Sequence, residues 1–202
     1  MRQNRPGWGW REWLQPANLC AIGRKPGRVT IAGMSDLHVF DDVLKANAEY
    51  ADDFALGGLE PVAARGLGIV TCMDSRIEPL ALLGLSPGDA KILRNAGARV
   101  TDDVLRTLVL AVHLLGVSRI LVMPHTRCRM VQAEDAAVHE AIRQRSGLDT
   151  RSLDFRLITD QEAVLRADMR RIRSSPYLPA DIAVAGVIYD VDTGLVRPFR
   201  ED

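Results

Sequence analysis

Leu67-Gly68-Ile69-Val70-Thr71-Cys72-Met73-Asp74-Ser75-Arg76 runs an apolar segment straight into a thiol, an acid and a base. Its first six residues read as a buried strand of a parallel sheet. Working outward, residues 90–93 give a second strand and residues 119–124, centred on Ile120-Leu121-Val122-Met123, a third. Residues 182–191 are the last strong strand, turned by Asp192-Thr193-Gly194 into a short run at 195–199. Helical patterns lie between. Ser35 is placed to cap a helix over 35–54, and residues 78–83 form a short helix stopped by Gly84. Asn95-Ala96-Gly97 is expected to be a loop. Thr101 caps the next helix, with Asp102 and Asp103 in its first turn, where negative charge suits the dipole. The stripe of that helix is Leu105, Leu108, Val109, Val112 and Leu115, and Gly116 ends it. A further helix is expected over 130–145. Thr159-Asp160-Gln161-Glu162 reads as a capping box opening a basic helix toward Ser174.

Strands separated by helices indicate an α/β fold, a mostly parallel central sheet flanked by helices. Such sheets bind ligands beyond the carboxyl ends of their strands. Cys72 ends one strand and His125 lies just past the end of another, so distant parts of the chain can meet at one sheet edge.

The chain has 202 residues, 47% of them hydrophobic, enough for one compact domain. Its formal charge is zero, yet residues 1–33 carry six cations against Glu12 alone, a net +5 that leaves −5 for the rest. An acidic body argues against nucleic-acid binding. No apolar run reaches the roughly 20 residues that span a bilayer, and no uninterrupted apolar segment of signal-peptide length follows the basic start. The expected location is cytoplasmic. Cys20, Cys72 and Cys128 are an odd number of thiols in a reducing compartment, which points to ligand or catalytic use rather than disulfides. Residues 1–33 hold all three tryptophans, several Gly and Pro and no periodicity. They are expected to be a poorly ordered basic extension to a single domain over 34–202, with Met34 as the natural start. A tail packed through its tryptophans is the rival expectation.

His125-Thr126-Arg127-Cys128 can aim an imidazole and a thiolate at one point, and Cys72 adds a second thiolate. Two thiolates and one imidazole with an open fourth position suit zinc. Each of these residues alone is weak evidence, since cysteine is commonly just core. Asp74 and Arg76, immediately beyond Cys72, strengthen the reading as a catalytic acid–base pair. The alternative for them is a plain ion pair closing a loop.

Cys72-Met73-Asp74-Ser75-Arg76 followed by His125-x-x-Cys128 resembles the β-class carbonic anhydrases. Arg94-Asn95-Ala96-Gly97-Ala98 with Val100-Thr101-Asp102-Asp103, the Gly186 to Gly194 strand and hairpin, and Tyr50-Ala51 near the first helix extend the likeness to the short actinobacterial branch. The resemblance covers roughly residues 34–199. It implies a β-carbonic anhydrase-like fold, zinc on Cys72, His125 and Cys128, and an Asp74–Arg76 dyad. It also implies reversible hydration of CO₂ to bicarbonate by zinc-bound hydroxide, with Gly97 in the substrate site. In a closed state Asp74 itself would bind zinc. The resemblance further implies a homodimer or homotetramer, with the first helix reaching across to a neighbour. His38, His113 and His139 are candidate proton shuttles by residue type, His113 being the more structural in position.

Two positions depart from the family pattern. Arg129 stands where Gly follows the second cysteine ligand, and Arg127 stands where many relatives carry an acid. A Gly there serves close approach or an unusual dihedral, so the substrate is left open. One alternative is hydrolysis of carbonyl sulfide or carbon disulfide, and another is a non-catalytic zinc-stapled domain, which has no need of the dyad. A dinucleotide enzyme is excluded because no G-x-G-x-x-G follows a strand.

Overall fold

The computed structural model describes residues 37–131 and 134–201. The chain divides into two units after Phe54. The first holds α1 (Asp41–Asp52), preceded by a 3₁₀ turn at Leu37–Phe40. The expected cap, Ser35, lies outside the described residues. No residue of α1 is buried, and Val43, Leu44 and Tyr50 are exposed along it.

The second unit contains β1 (Leu67–Cys72), α2 (Pro79–Leu82), β2 (Ala90–Asn95), α3 (Asp102–Leu114), β3 (Arg119–Met123), α4 (Asp135–Ser146), α5 (Gln161–Arg173), β4 (Ala183–Tyr189) and β5 (Val196–Pro198). Its five strands order as β2-β1-β3-β4-β5. The first three pairings are parallel and β4–β5 is antiparallel, so the sheet is mostly parallel as expected. β1 is an interior strand, as its continuous apolar run requires, with neighbours on both edges: Thr71 pairs with Arg94 on one side and Met123 on the other. The Thr71 hydroxyl is buried there and donates to the Met123 carbonyl at 2.8 Å.

Alternate strand residues face opposite layers. Val70, Ile120, Val122 and Ile188 pack against Val104, Leu108 and Ala111 of α3 and Leu165, Met169 and Ile172 of α5. Each such side chain stabilises the fold by roughly 1.5–3 kcal/mol on burial. Gly186 lets α5 approach β4, since a Cβ there would meet the Met169 sulfur at 2.6 Å. The second layer holds Ile69, Cys72, Ile77, Ala98, Met123 and Cys128.

Four details differ from the sequence-based expectation. The buried face of α3 centres on Val104, Leu108 and Ala111; of the expected stripe only Leu108 is fully buried. β2 runs on to Asn95, and a 3₁₀ turn, Ala96–Ala98, follows instead of an irregular loop. The helix expected from 130 begins only at Asp135: the Val131 N–H turns back to the Cys128 carbonyl, and Met130 accepts from the Ile158 N–H at 2.8 Å. α5 is capped by Asp160 rather than Thr159, its carboxylate accepting from the Glu162 and Ala163 N–H groups at 3.0 Å.

Candidate metal centre and active site

β1 ends at Cys72, and the chain leaves it through Met73 into the Asp74 to Ile77 turn. β3 ends at Met123, and Pro124 delivers His125 to the same edge of the sheet. The neighbouring β4 completes this loop. His125 bridges to Tyr189, the Thr126 N–H donates to the Tyr189 carbonyl at 2.9 Å, and the Val191 N–H donates to the Thr126 hydroxyl at 3.1 Å.

Cys72, His125 and Cys128 therefore converge. One donor atom from each lies within 4.8 Å of the others, and all three residues are buried. The sulfurs are 4.0 Å apart. His125 Nδ1 lies 2.9 Å from the Thr126 carbonyl, which can only accept, so Nδ1 carries the proton and Nε2 keeps its lone pair. Nε2 is buried without a hydrogen-bond partner. Two soft thiolates and an imidazole lone pair pointed into one small space are the donor set of a zinc site with a free position. The fixed tautomer is the outer-shell support such a histidine needs.

Of the two thiols, Cys72 is the one poised for deprotonation. A hydrogen bond from Cys128 holds the Cys72 thiol far below its ordinary value, with His125 and the backbone N–H groups of Gly97 and Asp74 acting the same way and burial opposing them. Cys128 is pushed up by sharing its proton with Cys72 and by burial. The pair thus holds one proton, which a bound cation displaces.

Asp74 and Arg76 sit at the rim. Asp74 Oδ1 accepts from the Arg76 backbone N–H at 3.0 Å and from Nε at 2.9 Å; Oδ2 accepts from Nη2 at 2.7 Å. This bidentate bond holds the Asp74 carboxyl well below the usual carboxylate range. Asp74 Oδ2 is 3.8 Å from His125 Nε2, so the carboxylate faces the metal position.

Gly97 has φ +80°, and the next residue, Ala98, has φ +59°. The Gly97 N–H at the head of this turn lies close enough to the Cys72 sulfur to favour its thiolate. A Cβ on Gly97 would meet the Ile158 Cδ1 at 2.9 Å. The Asn95 side chain closes this turn by bonding both the Arg99 N–H and carbonyl at 2.8 Å and 2.7 Å.

Several supports were not singled out from sequence. Arg94 donates to the Cys72 carbonyl at 3.0 Å and to the Asp74 carbonyl at 2.6 Å, fixing the dyad turn. Gln161 donates to the His125 carbonyl at 2.9 Å. Asp168 on α5 accepts from Arg99 Nε at 2.8 Å and from the Val100 N–H at 3.2 Å. An arginine immediately before Asn95, and a glutamine opening α5, were the only signals. Arg129 needs no glycine-like backbone: the left-handed residue of the loop is Arg127, φ +51°, whose side chain pairs with Asp192. Among the histidines proposed as shuttles, His113 bonds the Tyr177 carbonyl and His139 the Thr150 hydroxyl, while His38 is exposed beside Asp41.

A parallel sheet carrying a two-thiolate, one-imidazole centre on adjacent strand ends defines a mononuclear zinc enzyme of the α/β class. The chain belongs to the carbonic anhydrase family, whose model matches residues 67–196, and within it to the β class. Beta-carbonic anhydrase 1 of Mycobacterium tuberculosis is 35% identical over 156 residues, 77% of this chain and 94% of that one. The crystal structure of carbonic anhydrase from Streptococcus mutans superposes with a TM-score of 0.75 at 43% identity, covering 80% of this chain and 97% of that one. A carbon disulfide hydrolase of Acidithiobacillus thiooxidans is more distant, 28% identical over 66% of this chain and 77% of its own. By family and homologues the chain is a carbonic anhydrase, and Cys72, His125 and Cys128 match the zinc site of that class. Among the described residues no helix is long and apolar enough to cross a membrane.

Proposed function

We propose that this carbonic anhydrase hydrates CO₂ with Asp74 and Arg76 as its catalytic dyad, Gly97 lining the substrate site, and the domain over 34–202 as the working unit. When bound, zinc supplies Lewis acidity that brings the pKa of a water molecule toward neutrality, giving a nucleophile for the CO₂ carbon. Cys72, Cys128 and His125 hold the ion. Two thiolates cancel its formal charge, so the reacting water needs further help from the protein.

Asp74 provides that help as an acceptor at Oδ2. It takes the hydrogen bond of the attacking O–H and leaves the oxygen lone pair directed at carbon. Arg76 keeps the carboxylate ionised and prevents it from swinging inward to become a fourth ligand. In the overall reaction CO₂ and water give bicarbonate and a proton, and the proton passes to buffer.

The observation that carries this reading is the 3.8 Å approach of Asp74 Oδ2 to the unpartnered His125 Nε2, with both Asp74 oxygens bonded to Arg76. The test is stopped-flow CO₂ hydration with metal analysis on the purified chain and on Asp74→Asn. Loss of activity with zinc retained supports the dyad; unchanged activity removes it. Zinc-loaded protein that turns over carbon disulfide but not CO₂ would overturn the substrate.

The exposed apolar residues Val39, Phe40, Val43, Leu44, Tyr50 and Phe54 of the first unit support a homodimer or homotetramer, checked by light scattering. The buried free thiols at the centre support a cytoplasmic location.

A further inference from the structure

Four charged residues alternate along the mouth of the centre: Asp74, Arg76, Asp192 and Arg127. Asp74 holds Arg76, and Arg127 is paired with Asp192. The two pairs touch, because Arg76 Nη2 also approaches the Arg127 carbonyl at 3.4 Å. The Asp192 carboxylate is near enough to contribute, after Asp74, to raising the pKa of Arg76 through space. Arg76 therefore lies in the field of two carboxylates, only one of which faces the metal position.

The hairpin carrying Asp192 is fastened without the Arg127 side chain. Asp190 Oδ1 accepts from the Asp192 and Thr193 N–H groups at 2.9 Å and 3.0 Å, and Val191 bonds Thr126. The Arg127 side chain is thus free to act on charge rather than on fold. Its backbone is left-handed, unfavourable for a non-glycine residue, and in this conformation its side chain lies on Asp192 and its carbonyl near Arg76.

We infer that Arg127 is a positioning residue that occupies Asp192 and so reserves Arg76 for Asp74. The inference rests on the dyad reading above. With Arg127 present, each acid has its own guanidinium. Without it, Asp192 is an unpaired carboxylate beside Arg76, and Arg76 divides between two acids. Asp74 then loses the bonds that aim it and hold it off the metal position. A simple clamp between loop and hairpin would behave differently: losing either partner would do equal harm, and losing both would do no less.

The test is a double-mutant cycle on the full zinc-loaded chain, comparing Arg127→Ala, Asp192→Ala, the double variant and Arg127→Lys, with Arg127→Gln in reserve should Arg127→Ala not fold. Arg127→Ala is expected to lower kcat for CO₂ hydration about tenfold, ~1.4 kcal/mol, with KM nearly unchanged. Asp192→Ala and Arg127→Lys are expected to stay within about twofold of the parent, and the double variant to recover to the same range. In a crystal structure of Arg127→Ala, the Arg76 guanidinium is expected on Asp192. Equal losses in both single variants without recovery in the double, an unaffected Arg127→Ala, or Arg76 still bidentate on Asp74 in that crystal would each overturn the inference. Asp74→Asn in the same series separates the two readings. If it keeps full activity, the dyad falls and this inference with it. If it loses activity while Arg127→Ala does not, this inference alone falls.

Discussion

His125 Nε2 and Asp74 Oδ2 lie 3.8 Å apart, one a buried nitrogen with no partner, the other an oxygen already bonded to Arg76. At that separation they do not touch each other directly. On the proposed reading the imidazole would give its lone pair to zinc and the carboxylate would face the water that zinc activates.

Removing the restraint on Asp74 tests that division of labour. Arg76→Ala leaves Asp74 with no guanidinium and frees it to turn toward the metal position. The expected loss in kcat is about 10²-fold or more, in the range of a displaced acid–base group. Zinc content by atomic emission is expected to stay at one per chain. Loss of zinc along with activity would instead make Arg76 a structural residue.

Zinc affinity is expected to fall as pH falls. Cys72 is already held as the thiolate, whereas Cys128 is pushed up and retains the shared proton. Metal binding must displace that proton, so acid favours the metal-free form. The expected slope is about one decade in affinity per pH unit for each proton displaced. Competition with a chromophoric chelator between neutral and mildly acidic pH measures it. An affinity that does not change with pH would contradict the shared proton.

Gly97→Val is expected to damage the centre without touching a ligand. The left-handed φ of +80° and the 2.9 Å approach of Ile158 both oppose a side chain there. The turn that aims the Gly97 N–H at Cys72 must shift. A loss of about 1–3 kcal/mol in stability is expected from overpacking, with weakened zinc binding, read by urea unfolding of the metal-free protein and by chelator competition. Zinc binding equal to the parent's would separate this turn from the centre.

Asp168→Ala is expected to destabilise the fold by about 3 kcal/mol, because it leaves the largely buried Arg99 guanidinium without its carboxylate. The Val100 N–H loses its acceptor as well. Asp168→Asn keeps the shape and is expected to recover part of the loss. Chemical denaturation gives both values, and a change below about 0.5 kcal/mol would place the pair among energetically neutral surface contacts.

The strand at 67–72 was legible because its apolar run ends on chemistry-bearing residues. The ligand trio was legible because cysteine and histidine at strand exits carry their own signal. Arg94, Gln161 and Asp168 were not, since an arginine, a glutamine or an aspartate in a helical or strand pattern reads as surface until the fold shows what it reaches. The late start of α4 had no local signal either. Met130 and Val131 fit a helical stripe, yet both pack on the metal-side core ahead of the helix. Asp160 took the cap from Thr159 because either side chain suits that position, and geometry chose between neighbours. Arg127 was read as a departure in charge. That it also carries the loop's left-handed backbone was invisible, because the expected special dihedral belonged to position 129.

The loop bearing His125 is closed by Tyr189 and Val191, some sixty residues after the last ligand has been made. On the ribosome, every sulfur and nitrogen of the centre leaves the exit tunnel well before the strand that locks them in place. A nascent chain can therefore meet zinc with a complete set of donors and no fixed geometry. The last contacts that fix the geometry come from the β4–β5 hairpin, so the order in which donors and hairpin appear separates having the ligands from holding them in place.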